Sequence, residues 1–325
     1  MLSTLGFSVL RRLSDGELHS GEALAAATGV TRARVSQLLR EAAANGLKLE
    51  SVRGRGYRLL EALPFLERGA IVRALGTTTN LGIEVLDTID STSSELSRRT
   101  PGRDIHRHVL AAEWQTAGHG RRGRRWASVA GGSLTFSLGW RFEQSAGHLS
   151  GLTLAVGLAL ARALEGLGFA DVELKWPNDL VHRRSKLGGI LVELAGDALG
   201  PSLAIIGVGL NVLLPPATRR EIDQPVTDLS HISRGRSIDR NMLLARALDE
   251  LVKVLDQFAK DGFAPLRTAW QRRHALQRKP VRIALPDGGS ARGEVIGVDA
   301  DGALVLDSKG HRLRFLCGEV SLVRG

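Results

Sequence analysis

The stretch Gly118-His119-Gly120-Arg121-Arg122-Gly123-Arg124-Arg125-Trp126 decides how the rest of the chain is read. Gly118, Gly120 and Gly123 strip side chains from the backbone, and Arg121, Arg122, Arg124 and Arg125 surround that bare backbone with positive charge. Such a loop can wrap an anion closely and offer it main-chain N–H groups and guanidinium forks together. Trp126 adds a flat face suited to a purine ring. The features together point to a nucleotide phosphate with its base. No Gly-Lys-Ser/Thr follows, so this is not a Walker A loop. No acidic residue stands about twenty positions on at the end of a second strand, so it is not a dinucleotide fingerprint either. The plainer reading is an exposed basic loop or an RGG-type nucleic-acid patch, which usually sits in low-complexity sequence. Here the loop lies between two strand-like runs, 109–114 and 134–138. An ordered loop between two strands of a folded core is therefore expected.

A chain of 325 residues is long enough for two or three domains, each with its own core. Hydrophobic and charged contents of 43% and 24% are those of a soluble globular protein. The single cysteine, Cys317, excludes an internal disulfide framework and argues against a cysteine-based zinc site. The cytoplasm is the expected compartment. No apolar run has the length of a membrane span; the best, 149–167, is broken by polar residues and reads as a buried amphipathic helix. The first seven residues lack the basic region and cleavage site of a signal peptide. The net charge of +10 suggests a polyanionic partner. Residues 1–60 are the more basic by density, with nine Lys/Arg against five Asp/Glu.

In that N-terminal segment Phe7, Val9, Leu10 and Leu13 make a first helical stripe. Ser20 stands at an N-cap position with Glu22 in the first turn. Thr28-Gly29-Val30 has the size of the turn in a helix-turn-helix. Thr31 then caps a second helix over 32–44, whose apolar side carries Val35, Leu38, Leu39 and Ala42. Arg32, Arg34, Ser36, Gln37 and Arg40 remain on or near the exposed side, and such residues read base edges or hold phosphates. A β-hairpin follows, with Arg53 and Arg55 in its glycine-bearing tip, as in the wing of a winged helix. A helical hairpin used for protein contacts is the alternative. DNA binding is preferred because helix and wing tip are basic together, and Ser20, Thr31 and the residues just named are its candidates.

Farther on, 83–86 reads as a strand, leading into Asp90-Ser91-Thr92-Ser93-Ser94-Glu95-Leu96. These hydroxyls fit a helix cap, or groups that bond a polar ligand across the strand ends. In Lys175-Trp176-Pro177-Asn178-Asp179 the proline excludes a central strand, and Asn178-Asp179 suits a turn or a nucleotide's ribose or metal. Lys186-Leu187-Gly188-Gly189-Ile190 sets one lysine before a glycine pair and an apolar strand. It is either a solvated turn or a cation for a carboxylate or phosphate. Ile206-Gly207-Val208-Gly209-Leu210-Asn211 leaves one strand face without side chains, for a flat ligand or a closely packed helix.

In this order and spacing, GHGRRGRRW, KWPND, KLGGILVE and IGVGLN resemble the biotin protein ligases. With the winged helix in front, the chain looks like the bacterial ligases that also repress the biotin operon. The resemblance runs from about residue 10 to 323. It implies an α+β, multidomain fold. Residues 1–62 would be a winged helix-turn-helix. Residues 63–276 would be a catalytic domain, a mixed sheet with helices like the class II aminoacyl-tRNA synthetases. Residues 277–325 would be an SH3-like β-barrel, in keeping with short strands at 280–283, 291–298, 303–306 and 313–315 and Asp-Gly turns at 287–288 and 301–302.

By the same resemblance, Ser91, Thr92, Ser93, Gln115, His119, Gly120, Gly189, Gly207 and Leu210 surround biotin. Gly118, Arg122, Arg124, Trp126, Asn178 and Asn211 hold ATP or the adenylate, with Trp126 stacked on adenine. Arg121 and Lys186 serve both sites and are the catalytic pair. Ser93 replaces a frequent asparagine of the family, and His119 a first arginine of the repressor type. The implied cofactors are ATP and Mg2+, with biotin as substrate and no metal site built by the protein. The implied partners are the biotin carboxyl carrier domain of acetyl-CoA carboxylase or a similar carboxylase, operator DNA, and a second copy once adenylate is bound; no membrane is involved. Residues 1–62 are expected to be dispensable for ligation. A non-catalytic biotin-responsive transcription factor and a lipoate ligase of the same fold are the alternatives. Arg121 with Lys186 speaks against the first, and the arginine-glycine loop and winged helix against the second.

Overall fold

The computed structural model describes residues 2–60, 65–76, 80–196 and 200–323. It opens with helices α1 (Thr4–Arg12), α2 (Gly21–Thr28) and α3 (Arg32–Ala44), followed by the antiparallel strands β1 (Leu49–Val52) and β2 (Gly56–Leu59). Local chemistry sets these boundaries. The Ser20 hydroxyl accepts the Ala23 N–H and the Thr31 hydroxyl the Arg34 N–H, satisfying donors that a helix start leaves unpaired. Gly29, at φ 69°, ends α2 in a left-handed conformation that costs glycine nothing.

This module does not stand apart. Its core of Phe7, Leu10, Leu24, Val35 and Leu38 is completed by Phe65 and Ala130 from later in the chain, with Trp114 packed against it. Arg11 bridges to Asp87 at 2.6 Å and lies over the Phe65 ring. The domain boundary expected at 62/63 lies outside the described residues.

The central part runs α4 (Arg68–Leu75), β3 (Gly82–Ile89), α5 (Thr92–Arg99), β4 (His108–Gln115), β5 (Ser133–Phe142), α6 (Leu152–Gly166), β6 (Glu173–Lys175), β7 (Asp179–His182), β8 (Ser185–Gly196) and β9 (Ser202–Asn211). Then come α7 (Pro216–Glu221), α8 (Leu229–Ile232), α9 (Arg240–Asp261) and α10 (Arg267–Gln271). The strands form one seven-stranded sheet, β3-β4-β5-β9-β8-β7-β6, parallel at β3–β4 and antiparallel elsewhere. Helices α6 and α9 cover one face and share its large core. Helix α5 covers the other, where Leu96 packs with Leu110 and Ile205. The buried amphipathic helix expected over 149–167 is indeed buried, nearly all round rather than on one face, and it starts only at Leu152, after Gly151 at φ +83°. Trp140 and Phe136 anchor the core; burying a side chain of this size contributes roughly 1.5–3 kcal/mol.

The C-terminal strands β10 (Pro280–Ala284), β11 (Ser290–Val298), β12 (Leu304–Ser308), β13 (His311–Phe315) and β14 (Glu319–Leu322) form an antiparallel sheet in the order β13-β12-β11-β10-β14. Its apolar face joins the central core through Val281, Ile283, Val295 and Leu306, and the Trp176 indole N–H donates to the Gly302 carbonyl at 3.0 Å. Strand β14 was not among those expected from the sequence, and it carries a residue of the site.

Candidate active site

A cavity of about 750 Å³ opens above the sheet between α5, the arginine loop, β8, β9 and β14. Ser91, Thr92 and Ser93 enter it from the first turn of α5. Ser91 does what the cap reading requires, its hydroxyl accepting the Ser94 N–H at 3.4 Å. The next two hydroxyls belong to a buried network. Thr92 donates its N–H to Gln115 Oε1 at 2.7 Å and its hydroxyl to the same atom at 3.1 Å. Ser137 Oγ lies 2.7 Å from Thr92 Oγ1 and 2.9 Å from Ser93 Oγ. Ser137 therefore orients both hydroxyls. Nothing in the apolar run 134–138 singled it out. Beneath them Gly207 has no room for a side chain, since a Cβ would fall 2.5 Å from Ser93 Oγ. Arg98 beside Asp90 holds that carboxyl down at about 2, and Asp90 accepts the Ser91 N–H at 2.7 Å, which secures the start of α5.

The arginine loop is ordered between β4 and β5, but its backbone is partly committed to itself. Gly120 N–H donates to the Arg124 carbonyl at 2.7 Å and Trp126 N–H to the Gly118 carbonyl at 2.8 Å. The expectation of a bare, anion-facing backbone is corrected at these two amides. Of the side chains, Arg121 turns inward, half-buried, and donates to Asn178 Oδ1 at 3.2 Å; burial lowers its pKa. Arg124 lines the cavity but hydrogen-bonds Glu319 of β14, and Arg122 lies 3.3 Å from the same carboxylate. Burial alone would raise the Glu319 carboxyl; the Arg124 hydrogen bond and the surrounding guanidinium charges pull it below its usual value. His119 and Gly120 line the cavity, with His119 Nε2 3.8 Å from Glu193.

Trp126 lies with its ring against Gly209: a Cβ there would come 2.5 Å from the ring. The bare face of β9 is thus taken by the chain's own groups, Ser93 over Gly207 and Trp126 over Gly209. The indole Nε1 of Trp126 is buried without a hydrogen-bond partner among the described residues. On the far wall Lys186 pairs with Asp179 at 2.8 Å, and Gly189 beside it keeps space for the lysine stem. Asn178 holds its position by donating to the Ile190 carbonyl at 2.8 Å. Asn211 also lines the cavity and donates to the Thr227 carbonyl at 3.1 Å. Among the described residues no group of three or more His, Cys, Asp or Glu is arranged to hold a metal ion.

Three expected residues do not reach the cavity. Leu210 is fully buried in the sheet core, because strand alternation turns it away from Gly207 and Gly209. Gly118 sits behind the wall against Gln115, and Arg122 is held outside by Glu319. Ser137 and Glu319 are the residues that sequence reasoning did not assign, and Asp179, expected in a turn or at a nucleotide's ribose or metal, pairs with Lys186.

At the N-terminal module Arg32, Gln37, Arg40, Arg53 and Arg55 are exposed, and Arg34 and Ser36 are half-buried. None of these arginines forms an ion pair among the described residues. Gln37 Nε2 donates to Glu41 at 3.1 Å, while the Ser20 and Thr31 hydroxyls are used as caps. Among the described residues no helix is long and apolar enough to cross a membrane.

Comparison with known proteins agrees with this geometry. Residues 86–211 match the biotin/lipoate A/B protein ligase family, and residues 279–323 the biotin protein ligase C terminal domain. The bifunctional ligase/repressor BirA of Escherichia coli is 34% identical over 326 residues, covering 98% of each chain. The biotin–[acetyl-CoA-carboxylase] ligase of Mycobacterium tuberculosis is 34% identical over 247 residues, 74% of this chain and 89% of its own. Among solved structures, the biotin protein ligase from Aquifex aeolicus in complex with biotin and ATP superposes with a TM-score of 0.63 at 28% identity, covering 75% of this chain and 99% of its own. With a cavity of this composition and relatives that align from end to end, the chain belongs to the biotin protein ligase family.

Proposed function

We propose that the cavity joins biotin to ATP and then passes the biotinyl group to a lysine of a biotin carboxyl carrier domain. The observation that carries this reading is the meeting of two chemistries in one cavity. Ser91, Thr92 and Ser93 offer uncharged hydrogen-bonding groups at one end, and Arg121, held by Asn178, and Lys186 offer two cations at the other. Biotin carries a neutral ureido ring and a carboxylate, and the two ends match those two needs.

In the first step a carboxylate oxygen attacks the α-phosphorus; the bond to the β-phosphate bridging oxygen breaks and pyrophosphate leaves. Two anions must meet, so the chain's contribution is orientation and charge neutralisation, the roles of Arg121 and Lys186. Mg2+ on the triphosphate would add further neutralisation. The neighbouring oxygens of Asp179 and Asn178 are engaged by Lys186 and Arg121, so such an ion would be held mainly by the phosphates and its own waters. In the second step the acceptor amine attacks the mixed anhydride, loses a proton and releases AMP. Neither step needs a nucleophile from the protein. Trp126, which lines the cavity, serves the adenine.

Pyrophosphate release is measured with biotin, lipoate and octanoate in turn. Release with biotin alone is expected; release with lipoate or octanoate alone moves the chain to a lipoate ligase, and none with any acid makes it a sensor.

Residues 1–62 serve as a winged helix-turn-helix that binds operator DNA as a dimer, and residues 277–325 as an SH3-like domain. Arg32, Arg40, Arg53 and Arg55, exposed and without an ion-pair partner among the described residues, support the first role. One such module makes few phosphate contacts, so tight binding requires two on half-sites spaced by whole helical turns. Gel shifts on the upstream regions of biotin-synthesis genes, with and without biotin plus ATP, test this. A shift strengthened by both ligands is expected, and no shift in either condition removes the repressor role.

A further inference from the structure

The C-terminal sheet carries more positive charge beside the cavity than its own fold uses. Ser321 of β14 lines the cavity, and it lies directly opposite Arg282 of β10, which lies directly opposite Arg292 of β11. Residues facing each other across antiparallel strands project to the same side, so the row leads from the cavity mouth out over the exposed face of the sheet. Both arginines are exposed. Like charges set directly opposite one another destabilise a sheet. Elsewhere in this sheet arginines are compensated: Arg314 pairs with Asp299 at 2.7 Å and also bonds Asp301, and Arg312 faces Asp307. Arg282 and Arg292 have no ion-pair partner among the described residues. Glu294, two residues along β11 on the same face, lies opposite Asp307 and bridges to neither.

The second half-reaction gives this row a use. The lining of the cavity that the acceptor's lysine must enter is mixed, Arg121, Arg124, Arg125, Lys175 and Lys186 against Asp179, Glu221, Asp223 and Glu319, but the protein's net charge is +10 and the approach over this sheet passes Arg282 and Arg292. A basic surface around that lysine would be repelled there. A lysine set among carboxylates would be drawn in, because complementary charge speeds encounter and fixes register. We infer that Arg282 and Arg292 form a docking strip for an acidic face of the protein whose lysine is biotinylated, next to that lysine. The strip guides the acceptor and takes no part in adenylate formation. This inference rests on the ligase reading above.

The test separates the two half-reactions in the full-length protein. Adenylate synthesis is followed by biotin-dependent pyrophosphate exchange without acceptor, and transfer by labelling of a purified biotin carboxyl carrier domain. For the R282E/R292E variant, exchange is expected to stay within about twofold of the parent while KM for the carrier domain rises at least about tenfold, with kcat retained. The milder R282Q/R292Q variant shows a smaller rise in the same direction and guards against misfolding. Lysine substitutions at acidic positions beside the carrier's target lysine should recover part of the loss with R282E/R292E. An unchanged KM overturns the strip, and loss of pyrophosphate exchange in R282Q/R292Q overturns its separation from the chemistry. Absence of exchange in the parent protein overturns the ligase reading itself.

Discussion

Lys186 meets its substrates already paired, since Asp179 lies 2.8 Å away. The pair keeps the ammonium aimed along the cavity wall, and it means that removing the lysine also leaves a carboxylate among incoming anions. Lys186→Ala is therefore expected to cut adenylate formation by about two to four orders of magnitude, on the scale of roughly 3–5 kcal/mol for a lost charged contact. Comparing K186A with K186A/D179N in pyrophosphate exchange separates the two effects: partial recovery in the double variant shows that the stranded carboxylate contributes. Near-normal exchange in K186A would return Lys186 to a solvated turn. Arg121 differs, because it is half-buried and bound to Asn178 across the cavity. Arg121→Ala should keep the fold and let biotinyl-adenylate escape, seen as biotin on lysines of bystander proteins. A variant that labels only the carrier domain contradicts this role.

Strand β9 shows how one element defines the site through what it lacks. Gly207 and Gly209 leave room for Ser93 and the Trp126 ring, while Leu210 between Gly209 and Asn211 points into the core. Gly209→Ala would bring a methyl group within 2.6 Å of the Trp126 ring and must displace it. The expected result is a changed tryptophan emission and a KM for ATP raised about tenfold or more, with biotin affinity affected less. Equal losses for both substrates would mean that the whole sheet had shifted.

The three parts of the molecule share cores, and this changes what its ends do. Trp114, Phe65 and Ala130 pack with the N-terminal module, and Arg11 bonds Asp87. Removing residues 1–62 uncovers these groups, so the truncated protein, even where it still ligates, should melt at a lower temperature than the full chain. An unchanged Tm would show that the shared packing adds nothing. At the other junction His274 is 5% exposed, stacks near Trp270 at 4.7 Å, and sits where residues 273–275 extend the edge of the sheet beside β6. Burial pushes its pKa down from 6.5 to about 4, with Lys279 adding to the shift and Gln277 opposing it. The neutral ring is thus favoured in the folded protein. The contribution of this one ring to stability is complete above pH 6.5 and is expected to be lost as pH drops toward about 4, on the order of 3 kcal/mol. His274→Leu should flatten the Tm profile across that window by about one proton's worth of slope. An unaltered slope assigns acid sensitivity to other groups.

Much of this was readable in the sequence, because the forces concerned act over a few residues. Ser20, Thr31 and Ser91 cap the helices that follow them, and Asp287-Gly288 and Asp301-Gly302 turn the chain where such dipeptides do. The Gly207/Gly209 alternation likewise marked a strand face on which a flat group, the Trp126 ring, lies. What only the tertiary structure decided is which groups meet. Ser137 reaches Thr92 across 45 positions, and Glu319 reaches Arg124 across 195. Neither has a local pattern, since a serine inside an apolar strand and a carboxylate on a late edge strand look ordinary alone. Sheet order and the docking of the C-terminal strands bring them to the cavity, and that placement turned two of the four arginines toward Glu319 and Arg121 toward Asn178.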